Sequence, residues 1–140
     1  MTEYIKDFDG WGNKKPQIHN DKKIPTFNQR EVWWCSTGVN VGIEQDGKNN
    51  LYERPVLVVR KFNRRLFWGV PLSTQTNNFP HNIPILFKDR NKTTPKERTF
   101  VVSQMRAYDS CRLTRPLGKL TPLEFKLVTS EIETILTKAK

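Results

Sequence analysis

Polar side chains stand at the ends of the most apolar segments of this sequence. Arg54 directly precedes the apolar run 55–59, and the polar residues 73–76 directly follow the run 66–72. In a small β-barrel, hydroxyl and guanidinium groups at strand ends line a groove that can bind an anionic or polar ligand. Ser and Thr also satisfy backbone groups in turns. The residue types alone leave both interpretations open.

Other arrangements that could do chemistry are missing from the sequence. It contains no GxSxG nucleophile motif, no phosphate-binding P-loop and no close pair of carboxylates on a predicted helix. His19 and His81 have no partners at metal-ligand spacing, so neither a metal nor another cofactor is expected. Cys35 and Cys111 could form one disulfide, but two reduced, packed thiols in a cytoplasmic protein are the favoured interpretation.

The charge balance indicates a polyanionic partner. The 140 residues include 24 Lys and Arg against 14 Asp and Glu, which gives a net charge of +10. A domain this basic attracts nucleic acid, although a solvated basic surface that aids solubility is the alternative. No apolar run approaches the ~18 residues of a membrane span, and no signal sequence is recognisable. We therefore expect a soluble protein without a membrane partner.

Short apolar runs predict a mainly β protein. Five candidate strands cover residues 31–35, 55–59, 66–72, 83–87 and 99–103. Turn-forming Asp, Gly and Asn residues predict a loop over 39–53. Helices that could cross between parallel strands are absent, so the pattern of five or six strands predicts a small antiparallel barrel. The length is that of one domain.

The N-terminal region, residues 1–28, differs in texture and is predicted to be an extension of a barrel domain at 29–140. Its aromatic residues share one helical face and are expected to dock on the main body: Tyr4, Phe8 and Trp11. Two glycines and Pro16 are expected to limit any helix to the first two or three turns.

The C-terminal region predicts an amphipathic helix. Thr121 is a candidate N-cap, Pro122 occupies the first helical position, and Glu124 completes a capping box. An apolar face follows at helical spacing: Phe125, Val128, Ile132, Ile135 and Ala139.

Five blocks of this sequence, in order, resemble those of the MazF/PemK family of toxins from type II toxin–antitoxin systems. They are REVWW at 30–34, GVNVGIEQ at 38–45, RPVLVV at 54–59, VPLSTQ at 70–75, and QMRAYD at 104–109 with RL at 112–113 and GKL at 118–120. The first 28 residues fall outside the resemblance. It implies an SH3-like barrel, usually a homodimer, that cleaves single-stranded RNA such as mRNA at short sequences without a metal. Attack by the 2′-hydroxyl and neutralisation by a cognate antitoxin are also implied.

The resemblance also implies roles for individual residues. Arg54 occupies the position of the family's catalytic arginine, and Ser73 that of its catalytic threonine. A guanidinium there stabilises the negative charge that builds on phosphorus, and a hydroxyl holds a phosphate oxygen. The positions expected to contact RNA are Thr74, Gln75, Gln45, Glu44, Arg98 and Gln104.

The sequence departs from the family pattern where many members carry an acidic residue, because Ser103 stands there. The general base is then unassigned, and Glu44, Asp46 and Glu53 lie in a loop that could supply one. Two hypotheses remain from different classes. The first is an endoribonuclease toxin, weakened by the serine, and the second is a catalytically silent SH3-like barrel that binds nucleic acid or a protein.

Overall fold

The computed structural model describes residues 3–75 and 80–138. The elements of this part of the chain are α1 (Phe8–Asn20), β1 (Glu31–Ser36), β2 (Glu53–Lys61), β3 (Leu66–Ser73), β4 (Asn82–Phe87), β5 (Lys96–Val101), β6 (Arg106–Asp109), β7 (Leu113–Lys119) and α2 (Pro122–Thr137). Two 3-10 turns, Val102–Gln104 and Ser110–Arg112, flank β6. No helix in the described residues is long and apolar enough to cross a membrane.

The strands form one curled antiparallel sheet. Its order is β4-β5-β3-β2-β1-β7, and β6 pairs with β3 beside this path. The curl centres on β3, whose first half pairs with β6 while its last two residues pair with β5. Together with the C-terminal helix, this sheet confirms the predicted fold class of a mainly β, SH3-like barrel.

Two clusters of buried side chains hold the sheet in shape. The first includes Leu57, Leu72, Phe100 and Val128, and it joins the sheet to α2. The second is built from aromatic and branched residues on the other side of β2, and it comprises Phe27, Trp33, Cys35, Val56, Val58, Phe67, Tyr108 and Leu113. Because β2 contributes alternate residues to both clusters, Pro55–Val58 are buried throughout, as their continuous apolar run predicts.

The structure has more strands than the sequence predicts. The described sheet has seven strands rather than five or six. The prediction missed β6, which has only four residues, and β7, which contains Pro116 and Gly118. A proline is tolerated in β7 because that strand lies at the edge of the sheet. The predicted strand over 99–103 is also displaced, since β5 starts at Lys96 and gives way to a 3-10 turn at Val102.

Helix α2 begins as its sequence predicts. The Thr121 hydroxyl accepts from the Glu124 amide, and the Glu124 carboxylate accepts from the Thr121 amide, which together form a capping box. Val128 of the predicted apolar face is fully buried, and Phe125 and Ile132 pack beside it. Ile135 is 38% exposed, so the contact with the sheet ends one turn earlier than predicted. Ala139 lies outside the described residues.

Helix α1 corrects the expectation of a short N-terminal helix. It spans thirteen residues and contains Gly10, Gly12 and Pro16, which were expected to stop it. Pro16 removes one backbone donor to the carbonyl of Gly12, but Gly12 is exposed, so water can satisfy the freed carbonyl. Docking of Trp11, which is 7% exposed, stabilises the helix from outside.

Candidate active site

A polar cavity lies where β2 and β3 run side by side. Val56 pairs with Pro71, and continuing this antiparallel register by two residues places Arg54 opposite Ser73. Both side chains line a cavity of about 420 Å³. Other lining residues are Glu44, Gln45, Asp46, Gln75, Tyr4 and Lys6. The pairing of the two strands therefore brings the two predicted catalytic residues together.

Arg54 is held by backbone carbonyls rather than by a carboxylate. Its Nε donates to the carbonyl of Asp46 at 2.6 Å, and its Nη1 donates to the carbonyl of Leu72 at 3.0 Å. Within the described residues, Nη2 has no hydrogen-bond partner and the guanidinium has no ion pair. Burial lowers the pKa of Arg54 from its usual value, yet an arginine stays protonated at neutral pH. The cavity thus presents a guanidinium that is fixed by backbone carbonyls and has no ion pair within the described residues.

Ser73 lines the cavity and also stabilises a turn, the two roles that its sequence position leaves open. The side chain is buried, with 6% of the residue exposed, and it lines the cavity. Its Oγ accepts from the Gln75 amide at 3.1 Å, which fixes the turn after β3. Because Oγ acts as the acceptor there, the hydroxyl proton is available to a ligand in the cavity.

Of the three candidate carboxylates, two in the loop before β2 and one at the start of β2, only one is accessible. Glu53 is buried and binds Thr114 Oγ1 at 2.7 Å and Arg115 Nη1 at 2.8 Å. Asp46 is also buried, and its carboxylate already accepts hydrogen bonds from Tyr4, Lys6 and the backbone amide of Asn40. Glu44 is exposed and lines the cavity, with only the Val41 amide donating to it, at 3.2 Å. Glu44 is therefore the carboxylate that can take a proton from a ligand.

A second cavity of about 740 Å³ adjoins the first and shares Glu44 and Gln45 with it. Gln104 lies at the boundary, where its Oε1 accepts from the Gln45 amide at 2.7 Å and its Nε2 donates to the Ile43 carbonyl at 3.0 Å. Gln104 therefore holds the loop in place with both ends of its amide. Ser103 lines this second cavity and not the one around Arg54.

Two residues expected to contact RNA lie outside both cavities. Thr74 is exposed but lines neither of them. Arg98 is buried in β5, where its Nη2 forms an ion pair with Asp89 at 3.3 Å. The structure thus gathers Glu44, Gln45 and Gln75 around Arg54 but not these two.

The structure adds four cavity residues that sequence reasoning did not assign to the site: Tyr4, Lys6, Gly42 and Lys48. Tyr4 is predicted only as a docking aromatic, and Lys6 has no recognisable signal in the sequence. Both reach the cavity wall through hydrogen bonds to Asp46, more than thirty positions along the chain. Within the described residues, no group of three or more His, Cys, Asp and Glu side chains could hold a metal ion.

Comparisons with known proteins place this geometry in a family. A sequence model described as PemK-like, MazF-like toxin of type II toxin–antitoxin system matches residues 28–136. No curated protein sequence matches significantly.

Several solved structures share the fold. They include an endoribonuclease in complex with its cognate antitoxin from a mycobacterial species (17% identity, TM-score 0.56, 82% of this chain and 99% of that chain). MazF-mt6 of Mycobacterium tuberculosis is similar (13%, 0.57, 79% and 100%), as is MazF of Deinococcus radiodurans (16%, 0.57, 84% and 100%). The family match runs from the end of the N-terminal extension into the last turn of α2 and so covers most of the chain. The protein therefore belongs to the family of PemK-like, MazF-like toxins of type II toxin–antitoxin systems.

Proposed function

We propose that the protein is an endoribonuclease toxin that cleaves single-stranded RNA, such as mRNA, at short sequences without a metal. The observation that supports this most is the guanidinium of Arg54, which has no ion pair within the described residues, beside the buried hydroxyl of Ser73 in a polar cavity. A phosphodiester in the cavity would bring a negatively charged oxygen to this guanidinium. Membership of the toxin family supports the same activity.

In the proposed reaction, the ribose 2′-hydroxyl loses its proton to a base and attacks the neighbouring phosphorus. The bond to the 5′-oxygen breaks, and that oxygen takes a proton from solvent. The products are a 2′,3′-cyclic phosphate and a 5′-hydroxyl end. Charge builds on the non-bridging oxygens as the new bond forms, and Arg54 Nη2 together with the Ser73 hydroxyl can donate to them. Because the nucleophile belongs to the RNA, no metal-activated water is required.

We propose Glu44 as the general base that takes the 2′-hydroxyl proton. It is the exposed carboxylate of this loop and lines the same cavity as Arg54. General-base assistance contributes ~10²–10⁴-fold to a reaction rate. The neutral Ser103 lies in the adjoining cavity, so the proposed base lies on a different element from the acidic residue that many family members carry at that position.

We also propose that the toxin is a cytoplasmic homodimer that a cognate antitoxin neutralises. One similar solved structure is an endoribonuclease bound to its antitoxin, and another is a MazE–MazF complex. Helix α2 leaves Leu123 80% exposed and Leu136 72% exposed, which is apolar surface that a second subunit could cover. Light scattering should report twice the chain mass of 16.5 kDa, and a monomer at micromolar concentration would contradict this part of the proposal.

The alternative is a silent barrel that binds single-stranded nucleic acid without cutting it. Ser103 in place of an acidic residue favours it. The two candidates differ in one experiment that compares RNA with the same sequence bearing 2′-methoxy groups. An endoribonuclease binds both and cleaves only the first, because the second has no 2′-hydroxyl to attack. If wild type binds both and cleaves neither, the silent barrel is correct.

A further inference from the structure

The N-terminal extension forms a wall of the Arg54 cavity, and its docking begins at Trp11. The indole is 7% exposed and lies 5.6 Å from the Tyr52 ring, centroid to centroid. Gly38 faces it with a φ of +83°, and a Cβ at that position would approach the Trp11 ring to 2.3 Å. The barrel thus has a slot that admits Trp11 only because residue 38 is glycine.

Asp7 fixes the direction in which the chain enters α1. Its Oδ1 accepts from the Gly10 amide at 2.9 Å and so caps the helix. Its Oδ2 accepts from the Tyr52 hydroxyl at 2.8 Å. Because Tyr52 also contacts Trp11, the first turn of α1 is attached to the barrel at two points. The residues before Asp7 are thereby directed across the loop that contains Asp46.

Tyr4 and Lys6 end this path at Asp46. The Tyr4 hydroxyl donates to Asp46 Oδ2 at 2.8 Å, and Lys6 Nζ lies 3.3 Å from both carboxylate oxygens. The Asn40 amide donates to Oδ1 at 2.7 Å. The backbone carbonyl of the same Asp46 accepts from Arg54 Nε. One residue therefore joins the extension to the guanidinium of the candidate active site.

Tyr4 is fixed at its hydroxyl, but most of the residue is exposed. Its hydroxyl is fixed, yet the residue is 65% exposed and lines the same cavity as Arg54 and Gln75. Burial and the hydrogen bond to Asp46 raise the pKa of Tyr4 to about 12. The phenol is therefore protonated at neutral pH and can donate to Asp46. An exposed, oriented aromatic ring beside a cationic groove is the arrangement on which single-stranded nucleic acids stack their bases.

We propose that Tyr4 forms a base-stacking subsite for a nucleotide next to the phosphate at Arg54, so that the N-terminal extension is part of the RNA site. Lys6 acts as a positioning residue, because its Nζ pairs with the carboxylate of Asp46, the residue that binds both Tyr4 and Arg54. This proposal deepens the proposed function and rests on it. The extension lies outside the matched family span, so the subsite belongs to this chain's own additional segment.

The test measures binding of an uncleavable single-stranded RNA with 2′-methoxy groups by fluorescence anisotropy. Tyr4→Ala should weaken binding by about tenfold, within the range of one lost base stack. Tyr4→Phe retains the ring and should stay within about threefold of wild type. Phe8→Ala is the matched control, since Phe8 is an exposed aromatic of the same extension that lines neither cavity, and it should change nothing.

A series of RNAs with one abasic position, moved along the strand, separates stacking from positioning. At one position the abasic RNA should bind wild type about tenfold more weakly and should remove the difference between wild type and Tyr4→Ala. Lys6→Gln should weaken all RNAs by a similar, smaller factor, whereas Lys15→Gln, an exposed control, changes charge at the same extension without touching the cavity. A Tyr4→Ala defect that no abasic position removes would overturn the stacking subsite.

The outcomes also separate this subsite from the proposed function. Wild type that binds no single-stranded RNA would overturn both proposals. Wild type that binds and cleaves, with Tyr4→Ala binding equally well, would overturn the subsite alone. Wild type that binds without cleaving, with the abasic position still coupled to Tyr4, would retain the subsite and overturn the nuclease.

Discussion

Two arginines of this protein, Arg54 in the cavity and Arg98 at the β4–β5 edge, have different kinds of partner. Arg54 binds two backbone carbonyls, which orient the guanidinium without cancelling its charge. Arg98 is as buried as many residues of the hydrophobic core, but its charge is paired with Asp89. The first arrangement keeps a positive charge ready for a ligand, and the second uses its charge inside the fold. The residue type does not distinguish the two, whereas the partners of each guanidinium do.

The largest effect expected from this comparison is on catalysis at Arg54. Arg54→Ala removes the charge that faces the cavity, and the cleavage rate should fall by on the order of 10² or more, as when one oxyanion donor is lost. Single-turnover cleavage of a defined RNA is the measurement. Arg54→Lys keeps the charge but loses the two-carbonyl orientation, so it should recover only part of the rate. Normal cleavage by Arg54→Ala would show that the site is elsewhere.

The opposite pattern is expected at Arg98. Arg98→Ala leaves Asp89 without its partner and should lower the free energy of unfolding by about 2 kcal/mol, less than for a fully buried pair because Asp89 is partly exposed. Urea unfolding measures this, and RNA cleavage by the folded fraction should stay close to wild type. A variant that is stable yet inactive would place Arg98 in the RNA site and contradict its structural role.

A smaller loss of cleavage rate is expected at Ser73, which lines the cavity, and none at the neighbouring Thr74 on the surface. Ser73→Ala should reduce the cleavage rate by about two- to tenfold, the equivalent of one neutral hydrogen bond worth ~0.5–1.5 kcal/mol. Thr74→Ala is the matched control, because its hydroxyl is adjacent but lines neither cavity. Equal losses in the two variants, measured in the same cleavage assay, would assign Ser73 to the turn alone.

The smallest expected effect is on the pH dependence with which the N-terminal extension docks on the barrel. The Gly10 amide, and then the Tyr52 hydroxyl, hold the pKa of Asp7 below its ordinary value. A lowered folded pKa means that this stabilisation of α1 docking is present above about pH 4 and is lost as the pH falls through the lowered value. The Trp11 indole N–H resonance should shift over that range in wild type. In Asp7→Asn, whose side chain does not titrate, the same resonance should shift less over that range. An acid profile identical to that of wild type would show that Asp7 does not contribute to docking.

Local signals explain why the frame of the fold is predictable. Strands β2 and β3 follow from dense apolar runs, and α2 follows from the capping residues Thr121 and Glu124, whose partners lie within three positions. The prediction missed β7 because Pro116 and Gly118 weaken the local strand signal, and the edge position that tolerates them depends on the whole topology. Helix α1 was mispredicted for a related reason, since Trp11 docking outweighs its weak propensity.

The candidate site was predictable only in part. The resemblance identified Arg54, Ser73 and Glu44, which the structure brings to one cavity. It could not show that Arg98 pairs with Asp89, because ion pairs between strand and loop leave no periodic pattern. Tyr4 and Lys6 reach the cavity through polar contacts to a residue about forty positions away. Such contacts depend on the docked extension and not on any local motif.

The central claim is that the cavity directs a 2′-hydroxyl attack with protein groups alone. Mapping the ends of RNA cut by purified wild-type protein in excess chelator tests it most directly. We expect continued cleavage with 5′-hydroxyl and cyclic phosphate ends, and far fewer such ends with Arg54→Ala at the same reaction time. Products with 5′-phosphate ends, or loss of cleavage on chelation, would contradict it.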